Sequence, residues 1–358
     1  EHHFRLPRKS LNSPSVGDST ASVLFRLASP TLVSVILLAV VARLVLILLV
    51  PPTTDVYYYD TQAAEALIAG SSPYAHTFTG IPPRLVTPGA ANVFAYLPFT
   101  ALYLVPFRLL GDVRFGFVLA DLLIALTLYL STEKRGMAIA EVYLFTPFVV
   151  VFSTIYINNA IVSMLFLALF FYFERKGGRL RAPVCLGLSL ASNQVAWLIL
   201  PVILYYQSRE RRFKDITIEL AAAFLVMLPF ALLDFNSFFY ETITFQFSRP
   251  VLEVITITGP IDLSLGALLN INLNLSLNGF LLTLSGFTLP LWSRAGALAV
   301  LLPFVLKRVK DLSSMVRASG VFLLITLFVL PSDFFLPYLE LPFFIFLTFL
   351  SSGSPRES

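Results

Sequence analysis

Charge is scarce in this chain of 358 residues. Asp, Glu, Lys and Arg together make up 13%, about half the share of a soluble domain. Hydrophobic residues fill 57%, phenylalanine alone accounts for 34 positions, and the mean hydropathy is +0.82. That balance excludes a soluble globular protein and makes the bilayer the solvent. Cysteine is nearly missing: Cys185 stands alone in an apolar run, which excludes an intrachain disulfide and a thiolate metal site. Of three histidines, His2 and His3 sit beside Glu1, leaving His76 as the one with a role to weigh. Inverted hydropathy halves are not found, nor is any repeat of the length that builds solenoids. The 28 residues before the first apolar run are polar and mixed, so no cleavable signal peptide is expected. The net charge of +4 does not point to nucleic acid, because the cations lie in short loops between apolar runs, where they set membrane topology.

Along the chain, residues 1–28 read as a cytoplasmic tail, 29–350 as one transmembrane domain and 351–358 as a cytoplasmic C-terminal tail. A first span at 30–50 ends at Pro51-Pro52 and opens a long outer segment, 51–112. Within it, Asp60 to Gly70 reads as a helix capped by Asp60 and stopped by Gly70 and Pro73. The run Val93 to Leu110 is apolar but carries Pro98 and Pro106. Laying it along the interface puts the basic loops 131–136 and 174–181 on the side of Arg5, Arg8, Lys9 and Arg26, which the positive-inside rule favours. Spans follow at 113–131, 136–153 and 159–174, the last two joined outside by Ile155 to Asn159. The run 182–206 is basic at both ends and too short for two crossings of about 20 residues each. It reads as a re-entrant hairpin with Ser192-Asn193-Gln194 near its tip, facing a cavity. A span at 216–233 leads to a second outer segment, 234–276. The run 278–306 is either one kinked crossing or several short ones, and it ends at Lys307, Arg308 and Lys310. Spans 318–331 and 334–350 close the chain around Ser332-Asp333. The expected fold is therefore an all-α polytopic bundle of about 9–11 transmembrane helices, with interfacial helices in the first outer loop.

In this topology Asp55, Asp60, Glu65, Glu241, Glu253, Asp262 and Asp333 share the outer side with His76, Arg84 and Arg249. Two outer segments folded over the membrane surface would keep a reacting head group wet while its hydrocarbon tail stays in lipid. Within the bilayer, Arg43 and Asp121 are expected to form a structural ion pair rather than a functional site.

The stretch Asp55-Val56-Tyr57-Tyr58-Tyr59-Asp60 with Ala63-Ala64-Glu65, then Gly70-Ser71-Ser72-Pro73-Tyr74, then Phe94-Ala95-Tyr96-Leu97-Pro98-Phe99 resembles the first luminal loop of GT-C glycosyltransferases. It is most similar to polyprenyl-phosphate-mannose-dependent mannosyltransferases, including GPI mannosyltransferase I and its prokaryotic relatives. The likeness covers residues 55–99 and continues more weakly through Asn193-Gln194 and Pro201. Asn158-Asn159 stand where some relatives carry an acid, which argues against a two-acid metal site. No metal and no cofactor is assigned.

The resemblance implies inverting transfer of a sugar, expected to be mannose, from a polyprenyl-phosphate donor to a lipid-linked or glycan acceptor. Such a transfer needs a carboxylate base and cations about the leaving phosphate. Asp55 is the candidate base. Asp60, Tyr57, Tyr58, Tyr59 and His76 are candidate substrate contacts. Arg84, Arg249, Asn193 and Gln194 are candidates for the donor phosphate and lipid. Each has a plainer reading: Asp60 as a helix cap, the tyrosines as an interfacial belt, His76 as a solvated loop residue, the arginines as loop salt bridges or head-group contacts, and Asn193 and Gln194 as interhelical hydrogen bonds. The expected setting is a prokaryotic plasma membrane with the site outside. The competing classes are a lipid or small-molecule transporter or flippase and a non-catalytic membrane subunit.

Overall fold

A computed structural model describes residues 29–86, 92–132, 135–248, 255–257, 271–273, 276–329 and 337–351. Helix α1, Pro30–Leu49, starts on a proline whose missing N–H costs nothing there, and it stops because Val50 precedes Pro51 and turns extended (φ −120°, ψ 121°). Its length of about 30 Å matches the hydrocarbon core, and Leu37, Leu38, Leu48 and Leu49 are exposed along it.

Helix α2 runs Asp55–Ile68, which corrects the expected start at Asp60. Thr54 is extended (φ −125°, ψ 153°) and holds the cap position, so Asp55 falls in the first turn, where the helix dipole favours an acid. Tyr57, Tyr58, Tyr59 and Asp60 all lie inside the helix, and Asp60 caps nothing. The far end was placed correctly: Gly70 adopts φ +76° and Ser71 N donates to Ala66 O at 2.8 Å, a glycine-terminated stop. After the 3-10 turns Pro73–Ala75 and Pro83–Leu85 comes α3, Pro98–Leu109. At about 18 Å it is too short to cross; it packs on α2, and Arg108 pairs with Glu65 at 2.7 Å.

Helix α4 is Arg114–Ser131. The next span is split into α5, Gly136–Phe145, and α6, Pro147–Thr154, bent by 56° where Thr146 turns extended ahead of Pro147. Helix α7, Ala160–Arg175, descends from the outer loop. The expected hairpin appears as α8, Arg181–Leu190, and α9, Val195–Arg209, broken between them at 191–194. Ser163 and Ser189 bond each other's carbonyls at 3.0 and 2.8 Å, which ties α7 to α8. Helix α10 is Phe213–Leu233. A Cβ on Gly187 would stand 2.5 Å from Glu219 O and 2.6 Å from Ala222 Cβ, so the α8–α10 contact requires glycine.

The second outer segment holds α11, Phe235–Phe239, capped by Asp234 through Ser237 N, a π-helical turn Tyr240–Thr244 and α12, Phe245–Ser248. Two short strands, β1 (Ile255–Ile257) and β2 (Ile271–Leu273), pair antiparallel with Ile255 opposite Leu273, a small exception to an otherwise helical chain. The run 278–306 divides into α13, Leu277–Ser285, and α14, Leu291–Leu306, separated by Gly286 at φ +65°. Helices α15, Leu312–Val329, and α16, Pro337–Ser351, complete the described chain.

Among the described residues four helices, α1, α4, α10 and α15, have the length and apolarity to cross alone, and the bent α5–α6 pair makes a fifth. The remaining apolar helices are shorter than a full crossing. The core gathers α4, α7, α8, α9 and α15 around residues such as Phe117, Ile124, Leu165, Leu186, Ile199 and Met315. Arg43 and Asp121 meet in it at 3.4 Å, both fully buried, as the sequence led us to expect. Arg43 also donates to Leu144 O at 3.0 Å, and Tyr143 donates to Asp121 at 2.8 Å. The pair thereby fastens α1, α4 and α5 together.

Candidate active site

The link from α1 to α2 is pinned from below. Thr53 N donates to Ile155 O at 2.9 Å, so the start of α2 sits over the α6–α7 connection. This places Asp55 at the end of the bundle where α1 and α6 stop, 8% exposed. Asp60, just over one turn further on, is wholly buried, and neither of its oxygens finds a donor in hydrogen-bond geometry among the described residues. Burial raises its pKa well above the ordinary carboxylate value; the Asn159 side chain alongside opposes that rise and the charge of Asp55 adds to it. Two carboxylates within each other's field, one of them dry, make this end of the bundle a candidate site.

Asn159 connects this acid pair to the hairpin. Its Oδ1 accepts from Asn193 Nδ2 at 3.2 Å, while Asn193 Oδ1 accepts from Val195 N at 3.0 Å and so braces the turn into α9. Gln194 points the other way: its amide donates to Ala95 O at 3.0 Å and Thr242 O at 2.9 Å. Thr100 Oγ1 donates to Ser192 O at 2.8 Å, and Phe99 N to Ala191 O at 3.0 Å. The hairpin tip therefore holds the first outer loop and the second outer segment against each other. In this geometry Gln194 is a latch, its N–H2 group used up, whereas Asn193 belongs to the acid pair's surroundings.

The three tyrosines diverge instead of forming one platform. Tyr57 is half-buried, with the Arg114 guanidinium 5.4 Å from its ring centre; Tyr58 meets Tyr57 edge-on at 5.3 Å. Tyr59 is buried against Phe78 at 4.9 Å, and its hydroxyl is pushed up to about 12, first by burial and then by Asp55. His76 meets the same Phe78 edge-on at 5.1 Å, at the outer margin of this aromatic layer. Arg84 lies in the turn Pro83–Leu85. Arg249, Glu253, Asp262 and Asp333 lie outside the described residues.

Two groups were missed as site candidates. Glu241, 8% exposed, accepts the backbone N–H of Phe94 at 2.8 Å; burial lifts its pKa to about 7 against that hydrogen bond. Arg114, also buried, pairs with Asp112 at 2.7 Å and donates to Val50 O at 3.0 Å and Thr154 O at 3.3 Å, closing the ends of α1 and α6 beneath α2. Its place at the edge of a span was the available signal; for Glu241 the partner lies too far along the chain for any local pattern.

No family model and no curated protein matches the chain. Solved structures do. The crystal structure of ArnT from Cupriavidus metallidurans bound to undecaprenyl phosphate superposes with a TM-score of 0.55 at 15% identity, over 92% of this chain and 61% of that one. The apo-state structure of the same protein gives 0.53 at 14%, over 95% and 61%. The chain thus spans 61% of the length of these neighbours. At such identity the likeness establishes the fold alone: this is a predominantly helical, multi-pass membrane protein with the arrangement seen in ArnT.

Proposed function

We propose that the chain is a membrane glycosyltransferase that moves a sugar, mannose by the first-loop resemblance, from a polyprenyl-phosphate carrier to an acceptor hydroxyl. The observation that carries this reading is the pair of buried carboxylates, Asp55 and Asp60, at the end of the bundle where α1 and α6 stop, in a fold shared with ArnT. One of those ArnT structures is bound to undecaprenyl phosphate.

In the proposed step the acceptor hydroxyl gives its proton to Asp55 as its oxygen forms a bond to the sugar's anomeric carbon. The bond from that carbon to the phosphate oxygen breaks on the opposite face, the phosphate keeps the electron pair, and the configuration inverts. Asp60, wholly buried behind Asp55, acts through it: burial raises the Asp60 pKa and so favours Asp55 as the ionised member of the pair. Tyr58 and His76 are assigned to the substrate, and Arg84 and Arg249 to the charge of the departing phosphate. The distribution of basic loops supports a site on the outer side of the membrane.

The test is Asp55→Asn in the purified chain. Transfer from a labelled polyprenyl-phosphate sugar falls by about 10²- to 10⁴-fold, the range for a lost general base, with unfolding temperature unchanged; full activity would remove the mechanism. A transporter reading draws no support from Arg43 and Asp121, since they neutralise each other inside the bundle.

A further inference from the structure

The end of the bundle remote from the candidate site carries a built basic cleft. Helix α7 leaves the site at Ala160 and reaches Arg175 about 24 Å away, and α8 returns from Arg181. Helix α10 starts beside that turn and climbs back to Asp234. Where the three meet, a cavity of about 540 Å³ is lined by Glu174, Arg179, Leu180, Arg212, Lys214 and Asp215, among others. A second cavity of about 340 Å³ shares Gly178, Arg179 and Leu180 with it and adds Lys176 and Arg181.

The wall is rigid. Arg212 donates to Asp215 at 2.7 Å and to Glu174 at 2.9 Å, so two acids consume the one cation that is partly buried. The four exposed cations of the rim, Lys176, Arg179, Arg181 and Lys214, make no ion pair with any described residue, and Arg181 rests on the Phe173 ring at 5.7 Å. The turn that presents them needs Gly177 at φ +70°. Beside these charges Leu180 is 64% exposed, an apolar edge at the level where spans end. A cleft with a net surplus of cations, an apolar lip and a volume in the range of small-molecule sites fits an anionic phosphate group attached to hydrocarbon.

We propose that this cleft binds the phosphate of an anionic lipid head group, at a site separate from the sugar-transfer chemistry. The full chain in detergent is exchanged into equal amounts of phosphatidylglycerol and phosphatidylcholine of the same acyl chains, and retained lipid is counted by native mass spectrometry. Wild type retains phosphatidylglycerol preferentially, and Arg179→Gln with Lys214→Gln lowers that retention by about tenfold, given the attraction of each basic residue to anionic lipid. Arg179→Lys with Lys214→Arg keeps the charge and the retention, which separates binding from folding. Displacement by millimolar inorganic phosphate would show that the phosphate group alone suffices; resistance to it would assign the site to lipid. Equal retention of both lipids, or retention unchanged in the glutamine variant, would overturn the proposal.

Discussion

Asp60 is a wholly buried carboxyl beside another carboxylate, so its protonation is linked to folding. With the folded pKa raised above the unfolded value of about 4, folding takes up a proton. The stabilisation is complete below the unfolded pKa and is lost as pH rises towards the folded one. Glu241 behaves the same way, with its window between about 4 and about 7. Asp60→Asn and Glu241→Gln therefore flatten the decline in unfolding temperature between pH 5 and 8, measured by thermal unfolding in detergent; a decline as steep as wild type would show that neither group titrates there. Arg43 gives a second test at this scale. Arg43→Met leaves Asp121 charged and unpaired in the core, which costs about 3–5 kcal/mol, whereas the double change Arg43→Met with Asp121→Leu recovers most of it. Chemical denaturation of the three proteins would reveal that recovery or its absence.

Elements, unlike single groups, were largely readable from sequence. Pro51-Pro52 ends α1, Gly70 ends α2, and basic residues at both ends of 182–206 announced the broken hairpin whose gap carries Asn193 and Gln194. Three adjacent tyrosines, weak helix formers, hid the true start of α2, because burial of Tyr59 and Asp60 against the loop decided the matter and a local pattern does not record burial. Thr54, itself a suitable cap residue, was passed over for Asp60. The latch from Gln194 to Ala95 and Thr242 and the bond from Phe94 to Glu241 join residues roughly 50 to 150 positions apart, beyond anything that periodicity encodes. Gly187 tests the packing of these elements. Gly187→Val places carbon against Glu219 O and Ala222, forces α8 from α10 and costs about 1–3 kcal/mol, read as a lower unfolding temperature. An unchanged temperature would mean that the two helices slide apart freely.

At the scale of the molecule, one end gathers Asp55, Asp60 and Glu241 about an amide-held hairpin tip, and the other gathers more basic than acidic residues about a cleft. The proposed transfer uses that polarity: it puts the phosphate of a carrier lipid at the acid-bearing end, with the chain of the lipid along the bundle. The most direct measurement places the purified chain in liposomes with radiolabelled polyprenyl-phosphate mannose and a mixed lipid extract as acceptor. The account predicts a labelled product of inverted anomeric configuration from wild type and about 10²- to 10⁴-fold slower formation by Asp55→Asn. No labelled product from wild type, or equal product from both proteins, would contradict it.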